Sequence, residues 1–172
     1  MKKTMILVAS LVLTLVLAMT AYTAVAETPV FSVSEIVLTY TDLEHSPFEN
    51  CGLKIDIKRG GEGYVMFTKV TLEGAATVDY YKFDFDNGIM EKYYYVSAMG
   101  TAYYYTWDLA EGALAKIEDG NRNDSSESLK KMGRWETAAE TVAGEVEALQ
   151  TYFAEQYGVS IEEAYKDAAF GV

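Results

Sequence analysis

The chain has 172 residues, a formal net charge of −12 at pH 7 and a hydrophobic content of 50%. This length suffices for one domain with its own core, and the hydrophobic content argues against wholesale disorder. A strongly acidic surface repels phosphates and anionic lipids, so the composition excludes nucleic acid as a partner.

Residues 1–26 have the pattern of a secretory signal peptide. Lys2 and Lys3 precede an apolar run from Met5 to Ala21, and Ala24-Val25-Ala26 supplies the small side chains of a signal peptidase site. We therefore predict a single mature domain, residues 27–172, that is secreted and acts outside the cytoplasm. The alternative is an uncleaved anchor, because the apolar run is close to the minimum that spans a bilayer. That segment would then be the only membrane contact.

Residues 30–119 are predicted to form consecutive strands separated by glycine-containing turns. Runs rich in β-branched and aromatic residues recur at about 8–12-residue spacing, which is typical of an antiparallel meander. Asn87-Gly88 is the strongest hairpin signal, because both residues tolerate positive φ. The predicted strands are 31–40, 53–58, 64–72, 77–86, 89–98, 102–109 and 113–118.

Two-residue loops at Asn87-Gly88 and Met99-Gly100 set the predicted register of the three central strands. This register puts Asp84 opposite Glu91, a like-charge pair that costs some stability or recruits a cation. The other predicted cross-strand pairs are Phe85 with Met90, Tyr81 with Tyr94, Tyr80 with Tyr95, Tyr94 with Tyr105, and Val96 with Tyr103.

Three tyrosine clusters, 80–81, 93–95 and 103–105, place rings on both faces of these strands, because adjacent residues point to opposite faces. One face is a predicted core, with Phe83, Phe85, Met90, Tyr94, Val96, Tyr103, Tyr105, Trp107 and Leu109. The second face carries Tyr80, Tyr93, Tyr95 and Tyr104. Such an aromatic row can bind a glycan or peptide, since tyrosine is enriched in interfaces. Alternatively, other strands cover this face, or the rings are simply β-favourable residues.

Residues 125–169 are predicted to be helical. Asp124 and Glu127 fit a capping box at the start of this region. Apolar residues spaced by three and four from Trp135 to Phe153 predict a long amphipathic helix that buries its stripe on the sheet. Gly158 is its predicted end, and a second capping box, Ser160 with Glu163, opens a short helix. The expected fold is α+β: a curved antiparallel meander of about six to seven strands with the long helix packed on it.

The sequence offers few groups for metal or disulfide chemistry. His45 is the only histidine, which excludes a multi-histidine zinc or iron site within one chain. Cys51 is the only cysteine, so no intramolecular disulfide forms; we expect a buried, inert thiol, with an intermolecular bridge as the alternative.

One loop has the alternating oxygen donors of a calcium site, and calcium is the only cofactor that the sequence suggests. Asp119, Asn121 and Asn123 are its candidate ligands. Asp124 and Lys130 depart from the calcium pattern, because they replace its tight-turn glycine and its bidentate glutamate. A helix cap explains the same acidic residues without metal.

Taken together, these features predict a secreted, non-enzymatic binding domain that contacts an extracellular glycan, peptide or protein. One alternative is a small extracellular hydrolase that works through acidic residues, which requires two carboxylates facing each other across a cleft. Another is an envelope-associated structural protein that self-assembles by an exposed sheet edge or through Cys51. The predicted ligand-binding residues are Tyr80, Tyr93, Tyr95 and Tyr104.

Overall fold

A computed structural model describes residues 32–34 and 37–171. The predicted signal peptide therefore lies outside the described residues. Within them, no helix combines the length and the apolar character needed to cross a membrane. The strands form one antiparallel sheet in consecutive order, and the sheet is not closed. They are β1 (Ser32–Ser34), β2 (Val37–Asp42), β3 (Gly52–Lys58), β4 (Tyr64–Val70), β5 (Ala76–Asp84), β6 (Ile89–Val96), β7 (Thr101–Asp108) and β8 (Ala113–Asp119).

Three helices follow the sheet: α1 (Ser126–Lys131), α2 (Trp135–Tyr157) and α3 (Ile161–Lys166). The predicted end of the long helix is confirmed, because Gly158 adopts a left-handed conformation with φ of 73°. The second capping box is confirmed as well. The Ser160 hydroxyl accepts a hydrogen bond from the Glu163 amide at 3.1 Å, and the Glu163 carboxylate accepts one from the Ser160 amide at 2.8 Å.

The first predicted capping box, Asp124 with Glu127, is wrong. Asp124 forms a β-bridge with Glu118, so its backbone belongs to the edge of the sheet. Its carboxylate accepts a hydrogen bond from the Ser126 amide at 2.9 Å, and α1 begins at Ser126. The bridge to Glu118 of β8 therefore keeps Asp124 out of the N-cap position that the sequence motif predicted.

The core lies between α2 and the sheet face that α2 covers, which we call the inner face. The predicted helical stripe is confirmed, since Val142, Val146, Leu149 and Phe153 are buried. The opposite, outer face carries no helix among the described residues. The fully buried inner-face side chains are Leu53, Ile55, Ile57, Val65, Phe67, Tyr81, Phe83, Met90 and Ile117.

The predicted register of the central strands is wrong by two residues in both hairpins, which leaves every side chain on its predicted face. Asp84 pairs with Ile89, and Val96 pairs with Thr101, so each loop has four residues. The first loop is closed by the Asp84 carboxylate, which accepts hydrogen bonds from the backbone and side-chain amides of Asn87 at 3.0 and 2.8 Å. The observed pairs include Phe83 with Met90, Tyr81 with Lys92, Tyr80 with Tyr93, and Tyr94 with Tyr103.

This shift also removes the predicted like-charge pair. Glu91 lies opposite Lys82, so the two residues have complementary charge.

A second correction concerns the first predicted strand, 31–40. It is two antiparallel strands, β1 and β2, with Ser34 paired to Val37. β-branched and aromatic residues occur throughout 31–40, without a glycine or proline to mark a turn, so the sequence pattern did not indicate the reversal.

Candidate functional site

Three of the four predicted ligand-binding tyrosines form a continuous row across β5, β6 and β7. Tyr80 pairs with Tyr93, which pairs with Tyr104, and we call these three residues the outer tyrosine row. Ring centroids are 5.4 Å apart for Tyr80 and Tyr93, whose rings stack, and 4.8 Å apart for Tyr93 and Tyr104. The Arg122 guanidinium lies 3.3 Å from the centroid of Tyr104 and ends the row. The ring faces are therefore largely occupied by neighbouring groups.

The Glu91 carboxylate contacts both Tyr80, at one end of the row, and Arg122, which caps the other end. Glu91 accepts a hydrogen bond from the Tyr80 hydroxyl at 3.0 Å and forms an ion pair with Arg122 at 2.6 Å. Arg122 also approaches Glu118 at 3.4 Å. Burial, followed by the Glu91 charge, raises the pKa of Tyr80 above its usual range. These contacts satisfy the Tyr80 hydroxyl and place charged groups at both ends of the row.

The fourth predicted residue, Tyr95, is on the same face but outside the stack. It lies near the end of β6 opposite Ala102, and 40% of its surface is exposed. Val78 lies two residues before Tyr80 on β5, where the pairing with β4 is irregular, and it is 59% exposed. This end of the outer face therefore presents apolar surface that a partner could bury.

The predicted calcium ligands are adjacent, but they bind one another. The Asp119 carboxylate accepts hydrogen bonds from the backbone amides of Asn121 and Asn123 at 2.8 and 2.9 Å, and from the Asn123 side chain at 2.9 Å. These bonds, with that of the Asn123 side chain foremost, lower the pKa of Asp119. In the described part of the chain, no three His, Cys, Asp or Glu residues are grouped to hold a metal ion. Calcium binding stays a prediction.

His45 and Cys51 have separate partners. The His45 imidazole lies 3.3 Å from the Asp42 carboxylate, and the half-buried Cys51 thiol approaches the carbonyl oxygen of Phe48 at 3.9 Å. Asp42 also accepts a hydrogen bond from the Tyr152 hydroxyl of α2 at 2.9 Å. The contacts of His45 are thus those of a structural group at the junction of sheet and helix.

The inner face contains a feature that the sequence analysis did not find. A pocket of about 690 Å³ opens between β6, β7 and the N-terminal half of α2, and we call it the inner pocket. Its walls are apolar and aromatic, formed by Tyr94, Tyr103, Tyr105, Ile117, Leu129 and Val142.

An ion pair joins the two sides of the inner pocket. Lys92 of β6 is only 7% exposed, and its ammonium group lies 2.5 Å from the carboxylate of Glu145 on α2. The rings of Tyr105, Tyr94 and Tyr81 surround this ammonium group at 5.3, 5.5 and 5.7 Å from their centroids. Burial lowers the pKa of Lys92, while the Glu145 charge opposes that shift. A buried charge is costly unless it is paired, so Lys92 and Glu145 depend on each other inside the core.

Two more cations line the inner pocket. Lys69 lies 4.5 Å from the ring centroid of Phe48, and its charge contributes to the lowered pKa of Lys92. Arg134 precedes the first residue of α2. Among the described residues, neither Lys69 nor Arg134 forms an ion pair. The lining thus holds three cations and one carboxylate, a local charge of +2 in a chain of net charge −12.

Two other pockets among the described residues lack a comparable cluster of cations. A pocket of about 650 Å³ near the C-terminal half of α2 is bordered by Phe83, Phe85 and Leu109, and Glu162 is its charged residue. A shallower pocket of about 410 Å³ lies on the far side of the helix, beside His45 and Glu147. Of these three, the inner pocket alone combines aromatic walls with convergent cations.

A local signal for the inner pocket was present in the sequence. Lys92 falls between Met90 and Tyr94 at a core-facing position of its strand, and Glu145 lies beside Val146 on the helical stripe. A lysine and a glutamate at core-facing positions of two elements that pack together indicate a buried ion pair. Their separation of 53 residues hides that pairing from any local pattern.

The fold and these two sites describe an α+β sheet-and-helix domain with a pocket beneath its helix. Comparison with known protein families, curated proteins and solved structures gives no significant match to this chain. No activity is therefore transferred from a relative. A function has to come from the chemistry of the inner pocket and of the outer face.

Proposed function

We propose that this chain is a secreted, non-enzymatic binding protein whose inner pocket holds a small molecule with an apolar body. The pocket itself supports this proposal, because about 690 Å³ stays open beside inner-face side chains, such as Phe67 and Tyr81, that are fully buried. Small-molecule sites typically measure about 300–1,000 Å³ and combine apolar walls with a few convergent polar groups. The tyrosine walls and the charged group around Lys92 have this composition.

The lining favours binding over hydrolysis. A glycosidase needs two carboxylates that face the same bond. The inner pocket has one lining carboxylate, Glu145, and it is engaged by Lys92. The hydrolase alternative therefore has no support in this pocket.

The proposal is tested with N-phenylnaphthylamine, an uncharged apolar dye that fluoresces when it leaves water. The purified protein should bind it saturably, because burial of the dye against the pocket walls is favourable. Thr141→Trp, which adds a large ring at a lining position of α2, should weaken binding about fivefold or more, a loss of about 1 kcal/mol.

Glu140→Trp is the matched control, because Glu140 is exposed on the same helix and lies outside the pocket lining. It should leave dye binding unchanged. No saturable binding, or equal binding by both tryptophan variants, would argue against the inner pocket as a ligand site.

A second candidate function uses the outer face, where the exposed Tyr95 and Val78 lie beside the outer tyrosine row. There a glycan or peptide would meet the Tyr95 ring and the edges of the row, because the stacked ring faces are already in contact. Retention on immobilised cell-wall glycans and peptides compares Tyr95→Ser with Tyr94→Ser, its neighbour on the inner face with a nearly equal exposed fraction of 38%. Loss of retention in Tyr95→Ser alone supports the outer face; loss in Tyr94→Ser alone excludes it.

A further inference from the structure

The inner pocket concentrates positive charge in an acidic protein. Lys69, Lys92 and Arg134 line it against the single carboxylate of Glu145. Lys92 is neutralised by Glu145, whereas Lys69 and Arg134 have no ion-pair partner among the described residues. The net positive charge of the lining therefore contrasts with the large negative charge of the chain as a whole.

Two carboxylates act on Lys92: Glu145 lines the pocket, whereas Asp79 lies outside the lining and accepts a hydrogen bond from the Tyr95 amide at 3.0 Å. Within the lining, the order of charges leaves room for one anion. Glu145 holds Lys92, and the ammonium groups of Lys69 and Lys92 both approach the Tyr81 ring, at 5.6 and 5.7 Å from its centroid. A negative group between the two lysines would complete an alternating series, from the Glu145 carboxylate through Lys92 and the ligand to Lys69. Coulomb interactions in a partly buried site are stronger than at the surface, so this position is favourable for an anion.

The N-terminus of α2 adds to this field. Thr137 and Ala138, in the first turn of the helix, belong to the pocket lining. The N-cap residue, Arg134, makes no side-chain capping bond. The positive end of a long helix dipole therefore borders the pocket and favours a negative ligand group.

We infer that the ligand of the inner pocket is an amphipathic carboxylic acid, whose carboxylate lies between Lys69 and Lys92 and whose apolar body contacts the tyrosine walls. This inference rests on the proposed function of the same pocket. The aromatic and aliphatic walls set the character of the body, and the two lysines set the character of the head group. Glu145 stays the partner of Lys92 in the bound state.

The test compares three ligands with the same ten-carbon chain: decanoate, decanol and decyltrimethylammonium. Each displaces N-phenylnaphthylamine from the purified protein. We expect decanoate to bind about tenfold more tightly than decanol, which is the size of effect that one charge-assisted interaction gives. Decyltrimethylammonium should bind most weakly. Higher salt should weaken decanoate and leave decanol unchanged, because only the former interaction is screened.

Two lysine variants locate the head group. Lys69→Gln should reduce decanoate affinity about tenfold and leave decanol affinity unchanged, since Lys69 has no ion pair whose loss would disturb the fold. Lys82→Gln is the control, because Lys82 lies on the neighbouring strand, opposite Glu91 on the outer face. It removes the same charge away from the pocket and should not alter either affinity.

The outcomes separate the two proposals. A preference for decanoate that Lys69→Gln removes supports the acid as ligand. Equal affinity for decanoate and decanol, with the dye still displaced, overturns the acid and leaves the pocket function standing. Absence of dye binding overturns both. A decanoate preference that survives Lys69→Gln overturns the proposed position of the carboxylate.

Discussion

At the scale of single residues, the buried pair of Lys92 and Glu145 is the least expected feature of the core. Removing two charges from water costs several kcal/mol per ion, and mutual attraction recovers this cost only when both partners are present. The surrounding rings of Tyr81, Tyr94 and Tyr105 add a favourable cation–π environment. The Tyr81 hydroxyl is also buried and makes no hydrogen bond of good geometry, although burial and the nearby Glu145 carboxylate raise its pKa. This part of the core is therefore polar and incompletely satisfied.

The pair predicts a large asymmetry between single and double variants. Lys92→Met leaves the Glu145 carboxylate without a partner and should lower the free energy of unfolding by about 2–3 kcal/mol. This loss is smaller than for a fully buried pair, because 19% of the Glu145 side chain is exposed. Lys92→Met with Glu145→Leu should recover most of it, since apolar replacement removes both charges. Urea unfolding measures all three proteins.

Lys82→Met controls for the loss of a lysine elsewhere on the sheet. Its effect should stay within about 0.5 kcal/mol, as for most surface substitutions. Glu145→Leu alone completes the comparison. If the double variant is as unstable as the sum of Lys92→Met and Glu145→Leu, Lys92 and Glu145 are not energetically coupled.

At the scale of elements, two glycines of the helical region have opposite roles. Gly158 ends α2 in a left-handed conformation with φ of 73°, which a residue with a Cβ atom rarely adopts. Gly144 lies in the interior of the same helix, and a Cβ atom added there would meet no atom within 4 Å. One glycine is therefore required by the backbone, and the other only weakens the helix.

Alanine at these two positions should change stability in opposite directions. Gly158→Ala should lower the free energy of unfolding by about 1 kcal/mol, because alanine is strained at positive φ. Gly144→Ala should raise it by about 0.5–1 kcal/mol through higher helix propensity. Thermal unfolding monitored by circular dichroism gives both values. A change of the same sign in both variants would contradict the conformational roles assigned here.

At the scale of the whole molecule, Asp42 connects the beginning of the sheet to the long helix. Its buried carboxylate accepts hydrogen bonds from the Glu44 and His45 amides at 2.9 and 3.0 Å, and from the Tyr152 hydroxyl at 2.9 Å. Burial alone would raise the pKa of Asp42, but these hydrogen bonds bring it below its ordinary value of 3.8. The charged form is thus favoured by folding.

This connection predicts an acid-sensitive contribution to stability. Because the pKa of Asp42 is lower in the folded than in the unfolded protein, its contribution is complete above pH of about 4–5 and is lost as pH falls through the folded-state pKa. Tyr152→Phe should cost about 1–2 kcal/mol at neutral pH and narrow the difference between neutral and acid stability. Urea unfolding over a series of pH values measures this difference.

Tyr165→Phe is the control, since its hydroxyl bonds the exposed Asp86 carboxylate at 3.2 Å. It should have a smaller effect on stability at neutral pH. If the free energy of unfolding falls by the same amount between neutral and acid pH in Tyr152→Phe and in the unmodified protein, Asp42 does not have this role.

The sequence by itself determined the order of strands β2 to β8 and of helices α2 and α3, the face on which each central side chain lies, and the second capping box with the Gly158 stop. These features follow from local backbone geometry: strand alternation, helical periodicity and the conformational freedom of glycine. For the same reason, a register error of two residues in the central strands left Tyr80, Tyr93 and Tyr104 on the predicted face.

Only the tertiary structure decided which side chains meet. The register depends on four-residue loops, of which the first is closed by Asp84 and Asn87, and this displaced the predicted contact of Tyr80 from Tyr95 to Tyr93. The inner pocket depends on Lys92 and Glu145 meeting across 53 residues of sequence. Such pairings are set by the packing of the helix against the sheet. The packing energy comes from spatial neighbours that are far apart in the chain, and local sequence patterns do not encode them.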